Sequence, residues 1–327
     1  MKYIIIGSGN ISNTYIRAIG EIEGSEVLGC VSRSGKSPKD SPNLPSKTDL
    51  KAFDLDFDAV IVATPNGTHT EGIMSAAAMG KHVIVEKPLG IRMDEMEAAI
   101  AACQNAGTTL AVAYQRRTSP DNQSIKKLLD QGILGKVFGA DLSAKFYRDQ
   151  AYYDSGDYRG GYAIDGGGSF IQQACHNIDL YIWFFGMPEK IVSMMGRFTH
   201  DIEAEDHGAA LLRYSNGMIG TFIASTSTKP GFAARLEVHT DKGSFTMLDD
   251  SISEWHFEDI PNPSNREIQY QHDGATSAVV SDVSAHKKII LDFENAVRTG
   301  TPPLVSGQSA KLTTKLILQI YEAAPKF

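Results

Sequence analysis

A lysine is the first residue of this sequence whose type and setting suit proton transfer. Lys87 follows the apolar run 83–85 and Glu86, and Pro88 comes directly after it. The proline biases Lys87 to an extended backbone, and the carboxyl ends of parallel strands are where ligands bind in open α/β sheets. If burial lowered its pKa, the amine could accept a hydroxyl proton, and the ammonium could stabilise a developing oxyanion. A lysine in this position is more often a surface residue, so the assignment needs other motifs.

A histidine supplies the second candidate. It follows the triple glycine 166–168, and a helix beginning at Ser169 would place four residues on one stripe: Gln172, His176, Asp179 and Trp183. Histidine titrates near physiological pH without help. A lone histidine on such a stripe is more often a satisfied core residue. Here it shares the stripe with a carboxylate and an amide, which predicts a polar partner because unpartnered buried polar groups are costly.

A glycine-rich turn near the N-terminus could hold a dinucleotide. Gly7-Ser8-Gly9-Asn10-Ile11-Ser12 follows an apolar strand and opens a helix. In that setting glycines let the backbone approach a pyrophosphate at the helix N-terminus. The third glycine of the fingerprint is replaced by Ser12, which is small enough to keep the helix close to the strand. An ordinary tight turn is the alternative, and a position in the first βα unit favours the dinucleotide.

The end of the second strand bears on the choice of cofactor. An Asp or Glu there would hold the ribose 2′-hydroxyl of NAD, but this chain has Ser32-Arg33-Ser34. A guanidinium and two hydroxyls suit a 2′-phosphate. NADP(H) is therefore favoured over NAD(H), with a solvated loop arginine as the alternative.

The first third of the chain alternates strands and helices. The pattern predicts strands at 3–6, 26–32, 59–63, 82–86 and 109–114, with helices at 11–19, 68–80 and 93–106. Repeated βα units predict a Rossmann-type, doubly wound parallel sheet. We assign residues 1–119 to this dinucleotide-binding domain.

After about residue 120 the regular alternation of predicted strands and helices ends. Helices are predicted at 124–131, 169–185, 281–299 and 309–324, and strands at 136–147, 190–198, 207–214, 218–227, 233–239 and 243–248. Turn signals at 215–217 and 241–243 are typical of antiparallel hairpins. Residues 120–327 are therefore predicted to form an α+β domain for substrate binding and oligomerisation, with a large, mostly antiparallel open sheet.

Composition excludes several classes of partner. The chain has 327 residues and a net charge of −8, so nucleic acid and anionic membrane are not expected to bind. No apolar stretch approaches membrane-spanning length, and the N-terminus lacks a signal-peptide pattern. The three cysteines are far apart without CxxC spacing, and the histidines show no ligand spacing, so no metal is expected. We expect a cytoplasmic protein.

In combination, the motifs resemble the Gfo/Idh/MocA family of oxidoreductases, which includes glucose-fructose oxidoreductase and inositol dehydrogenase. The resemblance covers essentially the whole chain. It is carried by the glycine turn, segments 63–69 (ATPNGTH), 86–88 (EKP) and 113–117 (AYQRR), the triple glycine with His176 and Asp179, and the closing helix around Ile320 and Tyr321. Several spaced motifs in the same order are more specific than any one of them.

The resemblance implies a nicotinamide cofactor in the N-terminal domain. Lys87 would be the catalytic lysine, His176 its partner in proton transfer, and Pro88 a cis-proline. The residues expected at the cofactor are Gly7, Gly9, Asn10, Ile11, Ser32, Arg33, Thr64, Pro65, Asn66, His69, Glu86, Lys87 and Gln115. The family also implies a homodimer or homotetramer formed through the open sheet.

The expected substrate contacts are Lys87, Arg116, Tyr158, Arg159, Gln172 and His176. Many cyclitol dehydrogenases of the family carry Asp where this chain has Gln172, and an amide cannot transfer a proton. The two arginines suggest a carboxylated or phosphorylated sugar. The alternative is that they brace the loop through ion pairs with Asp154, Asp157 or Asp165.

The predicted function is reversible hydride transfer between the nicotinamide and a secondary alcohol or ketone of a sugar, sugar acid or cyclitol. Lys87 and His176 would carry the proton. Two alternatives remain on the same fold: an NAD-dependent glycosidase, and a non-catalytic regulator that binds dinucleotide.

Overall fold

Two compact units make up the chain in the computed structural model, which describes residues 1–264 and 283–325. The first unit contains Met1–Gln115 and Val280–Lys311, and the second contains Arg116–Val279 and Leu312–Phe327. Segment 283–311 thus lies with the N-terminal residues, whereas the sequence placed it in the domain 120–327. The reason is tertiary, since Ile290 and Phe293 are buried in the core of the first unit.

A six-stranded parallel sheet forms the centre of the first unit. Its strands are β1 (Lys2–Ile6), β2 (Glu26–Val31), β3 (Ser46–Lys47), β4 (Ala59–Val62), β5 (His82–Val85) and β6 (Leu110–Val112), in the order β3-β2-β1-β4-β5-β6. Helices α1 (Asn10–Gly20), α2 (His69–Ala78) and α3 (Met93–Asn105) connect them. The central strands are fully buried because helices cover both faces of such a sheet. The predicted doubly wound sheet is confirmed.

The second unit is built on a seven-stranded sheet. Its helices are α4 (Pro120–Asp130), α5 (Gln150–Asp154) and α6 (Cys175–Phe185), and its strands are β7 (Val137–Lys145), β8 (Lys190–Gly196), β9 (His207–Arg213), β10 (Ile219–Ser225), β11 (Arg235–Thr240), β12 (Gly243–Leu248) and β13 (Ser251–Phe257). The order is β13-β12-β11-β7-β10-β9-β8, and all pairs are antiparallel except β7 with β10. The predicted mostly antiparallel sheet is confirmed. Helices α7 (Ser284–Thr299) and α8 (Gly307–Ala323) close the chain.

One face of this second sheet is covered by α6. The hydroxyl of Tyr181 in α6 donates a hydrogen bond of 3.0 Å to the carbonyl of Ala140 in β7. Along β8 and β9 burial alternates from residue to residue, as expected when one face of a sheet is packed and the other is open.

The predicted helix 169–185 is the main local error. Residues Ser169–Gln173 form a π-helical turn, and the regular helix α6 begins only at Cys175. A π turn holds more residues than an α turn, so it changes which side chains share a face. Helix α5 and strands β3 and β13 were not predicted, and residues 281 and 282 of a predicted helix lie outside the described residues.

In the described part of the chain, no helix combines the length and the apolar character that a membrane span requires.

Candidate active site

The glycine turn closes tightly after β1. Gly7 has a φ of +124°, and a Cβ on it would lie 2.3 Å from the carbonyl oxygen of Ala63. Ser12 is fully buried and its hydroxyl donates to the carbonyl of Gly7 at 3.1 Å. The third fingerprint position thus braces the turn with a hydrogen bond that glycine could not make.

This turn leaves the first turn of α1 open to an anion. Gly9 is the N-cap, no side chain caps the helix, and its first turn carries no acidic residue. The Ser12 amide donates to the Gly9 carbonyl at 3.1 Å, while the first amides of a helix have no preceding turn to donate to, and the helix dipole favours negative charge there. A Cβ on Gly9 would meet no protein atom within 4 Å, so there is space beside the backbone. These residues fit the pyrophosphate of a dinucleotide.

Other predicted cofactor residues follow the carboxyl ends of neighbouring strands. Because β2, β1, β4, β5 and β6 are parallel, their carboxyl ends all lie along one side of the sheet, which we call its carboxyl edge. The residues at that edge are Ser32 and Arg33 after β2, Gly7 to Ile11 after β1, Thr64 to Asn66 after β4, Glu86 and Lys87 after β5, and Gln115 after β6. Arg33 is exposed, whereas the Ser32 hydroxyl already donates to the Lys36 carbonyl at 2.7 Å.

His69 lies behind this edge. Its ring is fully buried, with Nδ1 2.7 Å from the carbonyl oxygen of Pro88 and Nε2 2.7 Å from that of Thr64. Burial lowers the pKa of His69, while the two carbonyls act in the opposite direction. Both ring nitrogens are therefore engaged by the backbone, and His69 links the segments that follow β4 and β5; its contact with the cofactor stays a prediction.

Glu86 also faces the interior. Its carboxylate accepts a hydrogen bond of 2.9 Å from the Tyr15 hydroxyl in α1, and His286 Nε2 of α7 lies 3.7 Å from it. Burial favours the neutral acid, but His286 and the charge of Lys87 hold the pKa of Glu86 below its ordinary value. Glu86 therefore supplies a buried negative charge next to Lys87, and the cofactor contact expected of it stays a prediction.

Lys87 is the partly exposed member of this motif. Its backbone amide donates to the Glu86 carboxylate at 3.2 Å, and the peptide bond to Pro88 is cis, as the resemblance implied. Pro88 is buried. The backbone around Lys87 is thus fixed on both sides, directly after the end of β5.

In the second unit, a buried carboxylate anchors the π turn. Glu205 accepts hydrogen bonds from the amides of Gly168 (3.1 Å) and Phe170 (2.9 Å), and from the Tyr321 hydroxyl (3.1 Å). Burial raises the pKa of Glu205 to about 7, although these donors act against the shift. A Cβ on Gly168 would lie 1.7 Å from the Glu205 carbonyl, which explains the glycine.

The polar stripe expected on one continuous helix is not formed. Gln172 lies in the π turn, where its amide donates to the Asp165 carbonyl at 3.1 Å, and His176 lies in the first turn of α6. Both are partly exposed, whereas Asp179 is fully buried. The Asp179 carboxylate accepts two donors from Arg117, at 2.7 and 2.6 Å. Asp179 is therefore held in the interior by Arg117, whereas Gln172 and His176 reach the surface of this unit in part.

The two arginines predicted to bind substrate have different surroundings. Arg116 lies 3.6 Å from Asp250 and 4.0 Å from Asp249, and its side chain is 19% exposed. Burial would lower the pKa of Arg116, but these carboxylates raise it. Arg159 lies over the ring of Tyr152 at 4.5 Å and that of Tyr158 at 5.5 Å. The alternative ion pairs with Asp154, Asp157 or Asp165 therefore describe neither arginine.

Several supporting residues were missed because they act through tertiary contacts. Tyr15 and His286 hold Glu86, and Glu205 and Tyr321 hold the π turn. In the sequence, these residues are marked only by the two adjacent acids Glu205 and Asp206, which lie between two predicted strands and could have indicated a carboxylate with a structural role. Among the residues described, no three His, Cys, Asp or Glu side chains group so that they could hold a metal.

Comparison with known proteins places these features in a family. A model of an oxidoreductase family with an NAD-binding Rossmann fold matches residues 1–114, and a GFO/IDH/MocA C-terminal domain model matches residues 122–246. The scyllo-inositol 2-dehydrogenase (NAD(+)) of Bacillus subtilis (strain 168) is 31% identical over 279 residues, which cover 80% of this chain and 74% of that protein. The scyllo-inositol 2-dehydrogenase (NADP(+)) IolW of the same organism is 26% identical, over 75% of this chain and 68% of that one.

A known structure resembles the chain along almost its full length. The WlbA dehydrogenase from Bordetella pertussis, in complex with NADH and UDP-GlcNAcA, has a TM-score of 0.85 and 26% sequence identity, and the match covers 98% of this chain and 95% of that one. The sequence motifs, both domain models and the two sheets thus agree. The chain belongs to the Gfo/Idh/MocA family of oxidoreductases.

Proposed function

We propose that this protein is an NAD(P)-dependent dehydrogenase that interconverts a secondary alcohol and a ketone on a sugar, sugar acid or cyclitol. The observation that carries the proposal is the carboxyl edge of the first sheet, where the open N-terminus of α1 follows β1 and the partly exposed Lys87 follows β5, with β4 between these two strands. The relatives named as inositol dehydrogenases support the substrate class.

Lys87 is the proposed acid–base residue. In oxidation its amine accepts the proton of the reacting hydroxyl, and in reduction its ammonium returns that proton to the forming alkoxide. The buried Glu86 carboxylate and the fixed backbone orient the lysine. When bound, the nicotinamide would supply the hydride chemistry.

His176 is proposed as the second proton-transfer residue, and Gln172 as a hydrogen-bonding contact to substrate. Both are partly exposed on the short stretch that Glu205 anchors. An amide can donate and accept hydrogen bonds but does not gain or lose a proton at neutral pH. Gln172 can therefore orient a substrate hydroxyl but not transfer its proton.

NADP(H) is the proposed cofactor. Arg33 is exposed directly after β2, where the ribose 2′ position of a dinucleotide lies in such folds. Its guanidinium could make paired hydrogen bonds to a 2′-phosphate, and the chain has no acidic residue at 32–34 to hold a 2′-hydroxyl. Relatives include both NAD(+) and NADP(+) enzymes.

We also propose that the protein forms homodimers or homotetramers through the open face of the second sheet. Four large apolar residues are exposed there: Val192 (62%), Met194 (71%), Leu211 (50%) and Ile219 (54%). Val192 pairs directly with Leu211 across β8 and β9, so these two side chains lie side by side on that face. Such a surface is more typical of an interface than of a monomer.

The proposal is tested by following nicotinamide absorbance at 340 nm with NAD and NADP separately, against a panel of sugars, sugar acids and cyclitols. Stoichiometric reduction with one substrate group would support the dehydrogenase. Release of a free sugar from a glycoside without net reduction would identify the glycosidase alternative. Tight dinucleotide binding without turnover of any panel member would favour the regulator.

A further inference from the structure

Glu205, which comes just before β9, supplies the acceptors for three successive amides at the start of the π turn. Its carboxylate accepts from the amides of Gly168 at 3.1 Å and Phe170 at 2.9 Å, and its backbone carbonyl accepts from the amide of Ser169 at 3.1 Å. The first amides of a helix have no preceding turn to donate to, so they need acceptors from elsewhere. Glu205 therefore caps the π turn from a different part of the chain.

The same carboxylate is itself held in the interior. It is fully buried, and it also accepts from the hydroxyls of Ser169 at 3.3 Å and Tyr321 at 3.1 Å. Glycine makes this close packing possible, since a Cβ on Gly167 would lie 2.3 Å from the Tyr321 hydroxyl oxygen. Several donors thus converge on one carboxylate, and the start of the π turn has little freedom to move while they are in place.

Backbone hydrogen bonds carry this restraint from the start of the turn to the residues proposed at the substrate. The Gln172 amide donates to the Gly168 carbonyl at 3.0 Å, and the Ala174 amide donates to the Ser169 carbonyl at 3.0 Å. Helix α6 follows directly, with His176 in its first turn. A displacement at the start of the turn would therefore move the side chains of Gln172 and His176, which are partly exposed.

From these contacts we propose that Glu205 is a positioning residue, which fixes the π turn and so sets where Gln172 and His176 meet the substrate. The inference rests on the proposed function in taking these two residues as substrate contacts. Glu205→Met removes both acceptor oxygens at a similar side-chain length, and it leaves the amides of Gly168 and Phe170 without the carboxylate. Glu205→Gln keeps one acceptor oxygen and should be the milder change.

The ionisation of Glu205 gives a test that needs no variant. Burial raises the pKa of Glu205 to about 7. Tyr153 of α5, Tyr162 of the loop before the triple glycine and Tyr321 of α8 also interact with it, and burial, with a smaller effect of the Glu205 charge, raises their pKa values, so they stay neutral near pH 7. If the turn opens, water reaches the carboxylate and favours its ionised form, so opening becomes easier as the pH rises.

Amide hydrogen exchange, measured by NMR on the full chain at pH 6 and pH 8, tests whether Glu205 caps the turn. With a pKa of about 7 in the closed turn and 4.5 in the open one, the protection factors of the Gly168 and Phe170 amides should fall about tenfold in the wild type. Both Glu205 variants should lose this pH dependence, and Glu205→Met should also show lower protection at pH 6. The exposed Glu189→Met serves as the control and should match the wild type.

Steady-state kinetics tests the positioning. With a substrate found in the panel, we expect Glu205→Met to lower kcat/KM about tenfold or more, the change that corresponds to losing a buried hydrogen bond to a charged group. Glu205→Gln should lower it less, and it provides the same comparison if Glu205→Met does not fold. The Kd for the dinucleotide should stay within about threefold of the wild type because the glycine turn belongs to the first unit. Glu189→Met should retain full kcat/KM.

The inference is overturned if the wild-type protection factors of Gly168 and Phe170 do not depend on pH, or if a folded Glu205→Met protein keeps the wild-type kcat/KM. It is also overturned if kcat/KM and dinucleotide affinity fall together, because a general loss of structure would then explain both. A wild-type protein that turns over no member of the panel would reject the proposed dehydrogenase, and the exchange measurements would then decide alone whether Glu205 holds the turn.

Discussion

Replacing Asp179 by alanine would remove the carboxylate that receives two hydrogen bonds from Arg117. Arg117 is 1% exposed and Asp179 is fully buried, so water cannot compensate for the loss. The Thr313 hydroxyl would also lose its acceptor, which lies at 2.9 Å. Removing one member of a buried ion pair costs about 3–5 kcal/mol, and we expect Asp179→Ala to lower the free energy of unfolding by this amount.

Urea denaturation followed by tryptophan fluorescence measures this loss directly. The chain has two tryptophans, Trp183 and Trp255, and both lie in the second unit, where Trp183 contacts Arg117. The exposed Asp201→Ala serves as the control and should stay within about 0.5 kcal/mol of the wild type.

A second variant separates the loss of pairing from a loss of packing. In the double variant Arg117→Met, Asp179→Leu, neither charge remains, so we expect most of the stability lost in Asp179→Ala to return. Dinucleotide affinity should be unchanged in both proteins because both residues lie in the second unit. A loss below about 1 kcal/mol in Asp179→Ala, or a double variant no more stable than the single one, would refute this reasoning.

Further predictions concern pH, the glycine turn and the cofactor. The pKa of Glu205 is raised from 4.5 to about 7, so the folded state binds this proton more tightly than the unfolded state does. The contribution of this group to the free energy of unfolding is therefore lost as the pH rises from 4.5 to 7. Between pH 5 and 8 the fall amounts to roughly 2.5 kcal/mol, and Glu205→Gln should lessen the change in unfolding free energy over this interval by that amount; equal changes in both proteins would contradict the assignment. Gly7→Ala should destabilise the protein by about 1–3 kcal/mol because its Cβ meets Ala63, whereas Gly9→Ala should weaken only dinucleotide binding; equal thermal stability of the two variants would argue against this. Arg33→Ala should raise the Kd for NADPH about tenfold or more and barely affect NADH in fluorescence titrations; an equal effect on both would exclude the 2′-phosphate contact.

The parts of the fold that the sequence predicted are those with local causes. The run 3–6, the glycine turn and the helix after it are dictated by neighbouring residues, and the turn at Gly7 needs a positive φ that glycine adopts easily. Repetition of such units predicts a parallel sheet because few other arrangements bury all the strands.

What the sequence did not predict arises where distant segments meet. Backbone carbonyls engage the ring of His69, and His286, from a helix some 200 residues away in sequence, lies beside Glu86 in the interior. The stripe with Asp179 failed because one π turn shifted the register and Arg117 bound the carboxylate. A sequence contains the residue types for such contacts but not which pairs will form.

Turnover by a Lys87→Met variant tests the central claim most directly. With a substrate found in the panel, kcat should fall by about a hundredfold or more, as expected when an acid–base residue is lost. The Kd for the dinucleotide should stay within about threefold of the wild type, well under the tenfold change that 1.4 kcal/mol would produce. The exposed Lys39→Met should retain full activity. Near-normal turnover in Lys87→Met, with the cofactor still bound, would contradict the proposed role of Lys87 in proton transfer.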